Sequence, residues 1–221
     1  MHLETYPDSE MMMMDLANRI AGELKNSLFE HPWVSLVVPG GTTPGPMFDA
    51  LSAADLDWSR VHVLLSDERR VPADHPRSNE RLVRERLLTG RASAAKFVRL
   101  VPETDADWAN VRARLDAELP ISVLLLGMGA DMHTASLFPG APELGDALAQ
   151  NAPSLMAITP PDGDLEPRLT LSARVLKGAM TTHVLITGDE KRASVERARK
   201  LSPKEAPIAA VLGSATVHWA P

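Results

Sequence analysis

The strongest chemical signal in this chain is an acid two residues before a histidine, inside the glycine-flanked stretch Gly127-Met128-Gly129-Ala130-Asp131-Met132-His133-Thr134-Ala135-Ser136. Imidazole titrates near neutrality, so it accepts a proton from water at working pH. A carboxylate beside it fixes the tautomer and steadies the charged ring. Asp131 and His133 are therefore the candidate orienter and base. The other six histidines (His2, His31, His62, His75, His183, His218) have no comparable setting, and His62 and His183 fall at strand positions, where they read as structural.

Two other stretches have the composition of anion sites. Pro39-Gly40-Gly41-Thr42-Thr43-Pro44-Gly45-Pro46 follows an apolar run. Its paired glycines let backbone approach an anion, and the amides and dipole of the next helix favour negative charge there. Pro44 suits a helix start. A tight turn with no ligand has the same composition. Ser66-Asp67-Glu68-Arg69-Arg70-Val71-Pro72, followed by Arg77-Ser78-Asn79, reads either as a solvated salt-bridge cluster or as a site. Later, Arg168 offers a planar fork to phosphate and Lys191 a point charge, although as isolated residues both fit ordinary surface charges.

Three other chemistries find little support. Asp131 and His133 have no further ligand at recognisable metal spacing. Ser136 is not in a Gly-x-Ser-x-Gly elbow. Gly127-x-Gly129 lacks the third glycine of a dinucleotide fingerprint.

These residues need a scaffold, and the hydrophobic pattern supplies one. Near-continuous apolar runs at 34–38, 61–65, 121–126, 155–158, 183–186 and 208–212 predict strands covered on both faces. Helices are expected over 10–29, 44–53, 79–88, 106–118, 172–178 and 189–200, with capping-box spacing at Thr104/Asp107 and Thr187/Glu190. Alternation of the two gives an α/β fold with a mostly parallel sheet, whose ligands collect outside the strands' carboxyl ends. The four methionines at 11–14, beside Leu16 and Ile20, read as packing on the first helix. Prolines between 139 and 167 mark a loop-rich stretch containing one strand.

With 221 residues, 44% of them hydrophobic and 24% charged, the chain is expected to form a single domain over 1–221 with a sizeable core. The net charge of −6 and the lack of a dense Lys/Arg stripe argue against nucleic acid as a partner. There is no cysteine, which excludes disulfides and thiolate chemistry and permits a reducing compartment. The opening MHLETYPDSE has neither the basic nor the apolar segment of a secretory signal, and no apolar run is long enough to span a membrane.

Taken in order, Gly40 to Pro44, Ser66 to Pro72 with Ser78-Asn79, Leu124 to Pro139, Arg168-Leu169-Thr170, and Gly188 with Lys191 resemble the 6-phosphogluconolactonase family, within a wider group that includes glucosamine-6-phosphate deaminases. The resemblance covers nearly the whole chain. It implies a NagB/RpiA-like, Rossmann-related fold with helices on both faces of the sheet. It also implies hydrolysis of 6-phospho-D-glucono-1,5-lactone in the pentose phosphate pathway without metal or cofactor, by a cytoplasmic monomer or weak homodimer. On the same resemblance His133 is the catalytic base, Asp131 its acid partner and Asp67 the active-site acid after the second strand. Gly40, Gly41 and Thr42 form the sugar-phosphate loop, Arg168 and Lys191 hold phosphate, and Arg77 is an added contact. Backbone amides of the 127–133 loop are candidate oxyanion donors. Met132 stands where the family has glycine, so either the loop adopts an L-compatible conformation or a left-handed methionine strains His133. A pocket that binds sugar phosphate without turnover is the non-enzymatic alternative. Leu137-Phe138-Pro139 stands where the deaminases carry Asn-Glu-Pro; a phenylalanine cannot relay a proton, which disfavours amine loss.

Overall fold

Alternating apolar runs and amphipathic segments lay down strand and helix in turn. The structure, a computed structural model, describes residues 1–221 apart from Asp162, Asp164 and the side chain of Asp105. Along the chain, β1 (His2–Thr5) leads to α1 (Ser9–Glu30), β2 (Val34–Val38), α2 (Gly45–Ser52) and β3 (Val61–Leu65). Next come β4 (Asp67–Arg69), α3 (Asn79–Arg86), β5 (Lys96–Val98), α4 (Trp108–Asp116) and β6 (Val123–Gly127). The last part holds α5 (Leu144–Ala147), β7 (Leu155–Ile158), β8 (Arg168–Leu171), α6 (Ala173–Lys177), β9 (Thr181–Thr187), α7 (Asp189–Ala198), α8 (Ala209–Leu212) and β10 (Thr216–Ala220).

Seven strands pair in parallel in the order β1-β10-β9-β6-β2-β3-β5. Neighbouring side chains on a strand face opposite sides, so burial of all five residues of β2 means both faces of the sheet are covered there. Each fully buried Leu or Val contributes about 1.5–3 kcal/mol. The connection out of β2 runs one way to β3, while β6 lies on its other side. That reversal opens a crevice at the carboxyl ends of β2 and β6. The loop after β2 and the His133 loop after β6 both emerge there.

A second, antiparallel sheet, β4-β8-β7, stands beside this crevice. The Ser66 amide donates to Val38 O (2.9 Å) and Leu171 N donates to Ser66 O (2.9 Å), so one residue joins the two sheets. Antiparallel register sets Asp67 opposite Thr170 and Arg69 opposite Arg168. Residues 155–158 thus form a strand as expected, but in this smaller sheet.

The first helix buries Met12, Met13, Leu16, Ile20, Leu24 and Leu28, while Met11 and Met14 are more than half exposed; two of the four methionines pack and two do not. Asp8 caps it by accepting from Met11 N at 2.8 Å. Residues 208–212 were expected to extend and instead form α8. Ala209 and Ala210 favour helix, Pro207 is tolerated in a first turn, and a short apolar run does not declare its own period. Thr104 and Asp107 form their capping box, but the N-cap of α7 is Gly188, which has no side chain to cap with, so the Thr187/Glu190 box does not form. Strands β1, β4, β5, β8 and β10 and helix α5 carry too little pattern to be read from the sequence.

A polar chain centred on the buried His183 and His218 ties α1 and Tyr6, just after β1, to β9 and β10. Glu23 Oε2 lies 2.9 Å from His183 Nε2, His183 Nδ1 lies 3.0 Å from His218 Nε2, and His218 Nδ1 lies 2.9 Å from the Tyr6 hydroxyl, which donates to Asp15 (2.8 Å). Burial, then the neighbouring His183, lowers the His218 pKa from 6.5 to about 3. On acidification the unfolded chain therefore takes up this proton first. The contribution of His218 to stability is complete above 6.5 and is lost as pH falls toward about 3. Over that window His218 is expected to cost about 1.4 kcal/mol per pH unit in urea unfolding, a slope that His218→Gln should flatten by about one proton. Identical slopes in the two proteins would refute this.

Candidate active site

A cavity of about 450 Å³ occupies the crevice, within the range of small-molecule sites. Gly40, Gly41, Thr42, Asp67, Arg77, His133, Arg168 and Lys191 all line it. Of the candidate catalytic and phosphate-binding residues, Asp131 alone is not in its wall; it is hydrogen-bonded to His133.

The His133 loop is built around its acid–imidazole pair. His133 Nδ1 lies 2.5 Å from Asp131 Oδ1, and the His133 amide donates to the same oxygen at 3.1 Å. With Nδ1 committed, Nε2 has no hydrogen-bond partner among the described residues and is the ring nitrogen left to accept a proton. Burial pushes the Asp131 carboxyl up, but the bonds from His133 outweigh it and hold the acid below its ordinary value, so it stays ionised to steady an imidazolium. A Cβ on Gly129 would lie 2.2 Å from the His133 ring and 2.6 Å from Asp131 Oδ1, so the pair closes only over glycine. Phe138 sets its ring 4.7 Å from the imidazole, a wall behind the base. Gly129 N donates to His133 O, Met132 N to Gly129 O and His133 N to Asp131, so these three amides of the 127–133 loop are already used within it and are not the oxyanion donors.

Met132 settles the question its position raised. Its φ is 66°, in the left-handed region, so the L-compatible alternative is not adopted, yet the contact between His133 and Asp131 is intact. The side chain is buried and its sulfur accepts from Arg197 Nη2 (3.9 Å), while its carbonyl accepts from Ile208 N (3.1 Å). Left-handed strain costs about 1–2 kcal/mol. Deleting a buried methionine side chain costs about 2–5 kcal/mol. Burial wins. Met132→Gly is expected to lower unfolding stability by about 2 kcal/mol while turnover stays within about threefold. A stabilised variant in urea titration would show that strain dominates.

The cations gather through tertiary structure. Arg69 and Arg168 face each other across β4 and β8, and Arg77 joins them, its carbonyl accepting from Arg69 Nη1 at 2.5 Å. Arg168 is 5% exposed, and its Nε and that of Arg69 are buried without a partner among the described residues. Burial, then the charge of Arg69, lowers the Arg168 guanidinium from its ordinary value; Asp67 and Glu166 offset part of this. Glu166 also pairs with Arg77 at 3.0 Å. A cluster this short of counter-charge is suited to an anion.

The acid wall is equally constrained. Asp67 accepts from Ser66 Oγ (2.9 Å) and Ser136 Oγ (2.6 Å), so each carboxylate oxygen is held by a hydroxyl. Ser136 is fully buried in this role. Asn79 Nδ2 donates to Asp67 O (2.9 Å), and a Cβ on Gly40 would lie 1.9 Å from Asn79 Oδ1, so the glycine loop presses directly onto Asn79. Sequence reasoning did not select Arg69, Asn79 or Ser136 as site residues, and used Phe138 only to separate activities. Their motifs were visible, but the pairings that bring them to the cavity were not.

A family model described as glucosamine-6-phosphate isomerases/6-phosphogluconolactonase matches residues 7–219. A 6-phosphogluconolactonase of Mesorhizobium japonicum is 40% identical over 226 residues, covering 98% of this chain and 94% of that protein. One from Pseudomonas aeruginosa is 38% identical over 227 residues, covering 99% and 94%. The crystal structure of a 6-phosphogluconolactonase from Shewanella baltica superposes with a TM-score of 0.94 at 34% identity, covering 100% of this chain and 97% of that one.

Proposed function

This chain belongs to the glucosamine-6-phosphate isomerase/6-phosphogluconolactonase family, and on that premise we propose that it hydrolyses 6-phospho-D-glucono-1,5-lactone to 6-phosphogluconate, in the pentose phosphate pathway. The observation that carries the reading is a single cavity lined both by an imidazole that a carboxylate orients and by an arginine cluster short of counter-charge among the described residues.

The substrate's phosphate docks against Arg69, Arg77, Arg168, Lys191 and the Gly40–Thr42 loop at the start of α2. These cations and helix-start amides concentrate positive charge locally on a chain of net charge −6. Anchoring the remote phosphate spends binding energy on orientation and sets C1 beside His133. Nε2 takes a proton from water as the water oxygen bonds to C1, and Asp131 stabilises the imidazolium. The tetrahedral intermediate then expels the ring oxygen, which takes the proton back from His133, and the new carboxylic acid ionises. Asp67, fixed by two serine hydroxyls, accepts from a sugar hydroxyl. No step calls for a metal or cofactor.

The partner is thus a small sugar-phosphate lactone. No helix among the described residues is long and apolar enough to cross a membrane. A cytoplasmic monomer or weak homodimer with no nucleic-acid partner suits an acidic, cysteine-free chain. Amine loss from an amino-sugar phosphate is disfavoured because Phe138, not a carboxyl, faces His133. The intact base–acid pair favours turnover over binding alone. The test is coupled measurement of 6-phosphogluconolactone hydrolysis above the spontaneous rate. Ammonia release from glucosamine 6-phosphate without lactonase activity would overturn the reading.

A further inference from the structure

Glu68 lies between Asp67 and Arg69, which both line the cavity, yet does not line it itself. Side chains alternate along a strand, so Asp67 and Arg69 turn toward the cavity while Glu68 turns away, beneath the start of α3. There it is 2% exposed and collects four donors. Oε1 accepts from Arg69 N (2.7 Å) and Asn79 N (2.8 Å); Oε2 accepts from Glu80 N (2.7 Å) and Ser78 Oγ (3.1 Å). Two of these are orphan amides of the first turn of α3, so the carboxylate satisfies the helix end from outside the helix.

The bonds from Glu68 reach three anion-facing segments at once. Its Oε1 holds the backbone of Arg69. The same oxygen holds Asn79, whose side chain grips Asp67 O and against which the Gly40 loop is pressed. Arg69 Nη1 in turn grips the carbonyl of Arg77. We propose that Glu68 is a positioning residue for phosphate recognition: one buried carboxylate clamps strand β4 to helix α3 and so fixes the spacing of Arg69, Arg77 and the Gly40–Thr42 loop. The clamp depends on acceptors at both oxygens, not on volume. Burial pushes this carboxyl above its ordinary value against the pull of the four donors, consistent with a group fully withdrawn from water.

This inference rests on the lactonase reading, and the experiment separates the two. Glu68→Gln keeps shape but puts an NH₂ where donors already point, so at least one backbone N–H of the clamp loses its acceptor, even if the Ser78 hydroxyl turns to accept from the new amide. Wild type and variant are assayed on 6-phosphogluconolactone and on unphosphorylated glucono-1,5-lactone, and 6-phosphogluconate affinity is measured by calorimetry. The ratio of kcat/KM for the phosphorylated over the unphosphorylated lactone is expected to fall about tenfold, carried by KM, with weaker 6-phosphogluconate binding to match. A merely structural residue would reduce the active fraction and lower both substrates equally; an unchanged ratio and affinity overturn the proposal. Ser78→Ala removes one donor to Oε2 together with the cap that accepts from Arg81 N (3.2 Å); Ser78→Asn, which keeps a capping oxygen, is its control, and a ratio lowered in the same sense but by less decides the matter if Glu68→Gln does not fold. Should wild type hydrolyse neither lactone, the functional reading fails, and the calorimetric arm alone still decides the role of Glu68.

Discussion

Replacing His133 by alanine is expected to lower kcat for 6-phosphogluconolactone by about 10³-fold while 6-phosphogluconate still binds. A positioned general base contributes about 10²–10⁴-fold, and this ring has one nitrogen committed to Asp131 and the other left for water. The imidazole is a third exposed and its hydrogen bond runs to Asp131, so alanine removes no hydrogen bond of the phosphate cluster. Asp131→Asn is the companion experiment. The His133 amide donates to the same carboxylate oxygen and so keeps an asparagine's oxygen facing Nδ1; the ring then keeps its tautomer but loses the charge that steadies imidazolium, and a smaller loss of about 10–100-fold follows. Steady-state rates corrected for spontaneous hydrolysis, with calorimetric binding as control, test both. Near-normal turnover by the alanine variant would remove His133 as the base.

The second large effect concerns Arg168. Charged hydrogen bonds to phosphate are worth about 1.5–3 kcal/mol, so Arg168→Met is expected to raise KM about 10–100-fold with kcat within a few-fold. Turnover of unphosphorylated glucono-1,5-lactone should change little. Stability should move the other way. Arg168 is buried, its Nε has no partner among the described residues, and Arg69 and Arg77 repel it, so an apolar replacement of similar length should raise the melting temperature. Loss of substrate affinity together with a gain in Tm is the signature of a charge kept for its ligand. A normal KM in this variant would refute the phosphate assignment.

Much of the scaffold could be read because its signals are local. The apolar runs at 34–38 and 61–65 became β2 and β3 with those limits, since strands covered on both faces announce themselves by composition alone. The weaker strands could not. Lys96–Val98 and Asp67–Arg69 are three residues each and carry charge, so only pairing with a neighbour makes them strands. Residues 208–212 show the converse, an apolar run whose alanines and preceding proline favoured a helix.

The sequence by itself determined the chemistry available: a histidine two residues from an acid, a glycine pair before a helix, and cations after the strands. The His133–Asp131 bond spans two residues and needs little beyond its own loop. Tertiary structure alone decided how those groups meet. Arg69 faces Arg168 because of antiparallel register, Ser136 reaches Asp67 from 69 residues away, and Met132 holds a left-handed backbone because burial outweighs its strain. Register and topology depend on contacts between residues far apart in the chain, and the side chains that join there carry no periodic signal that a one-dimensional reading can follow.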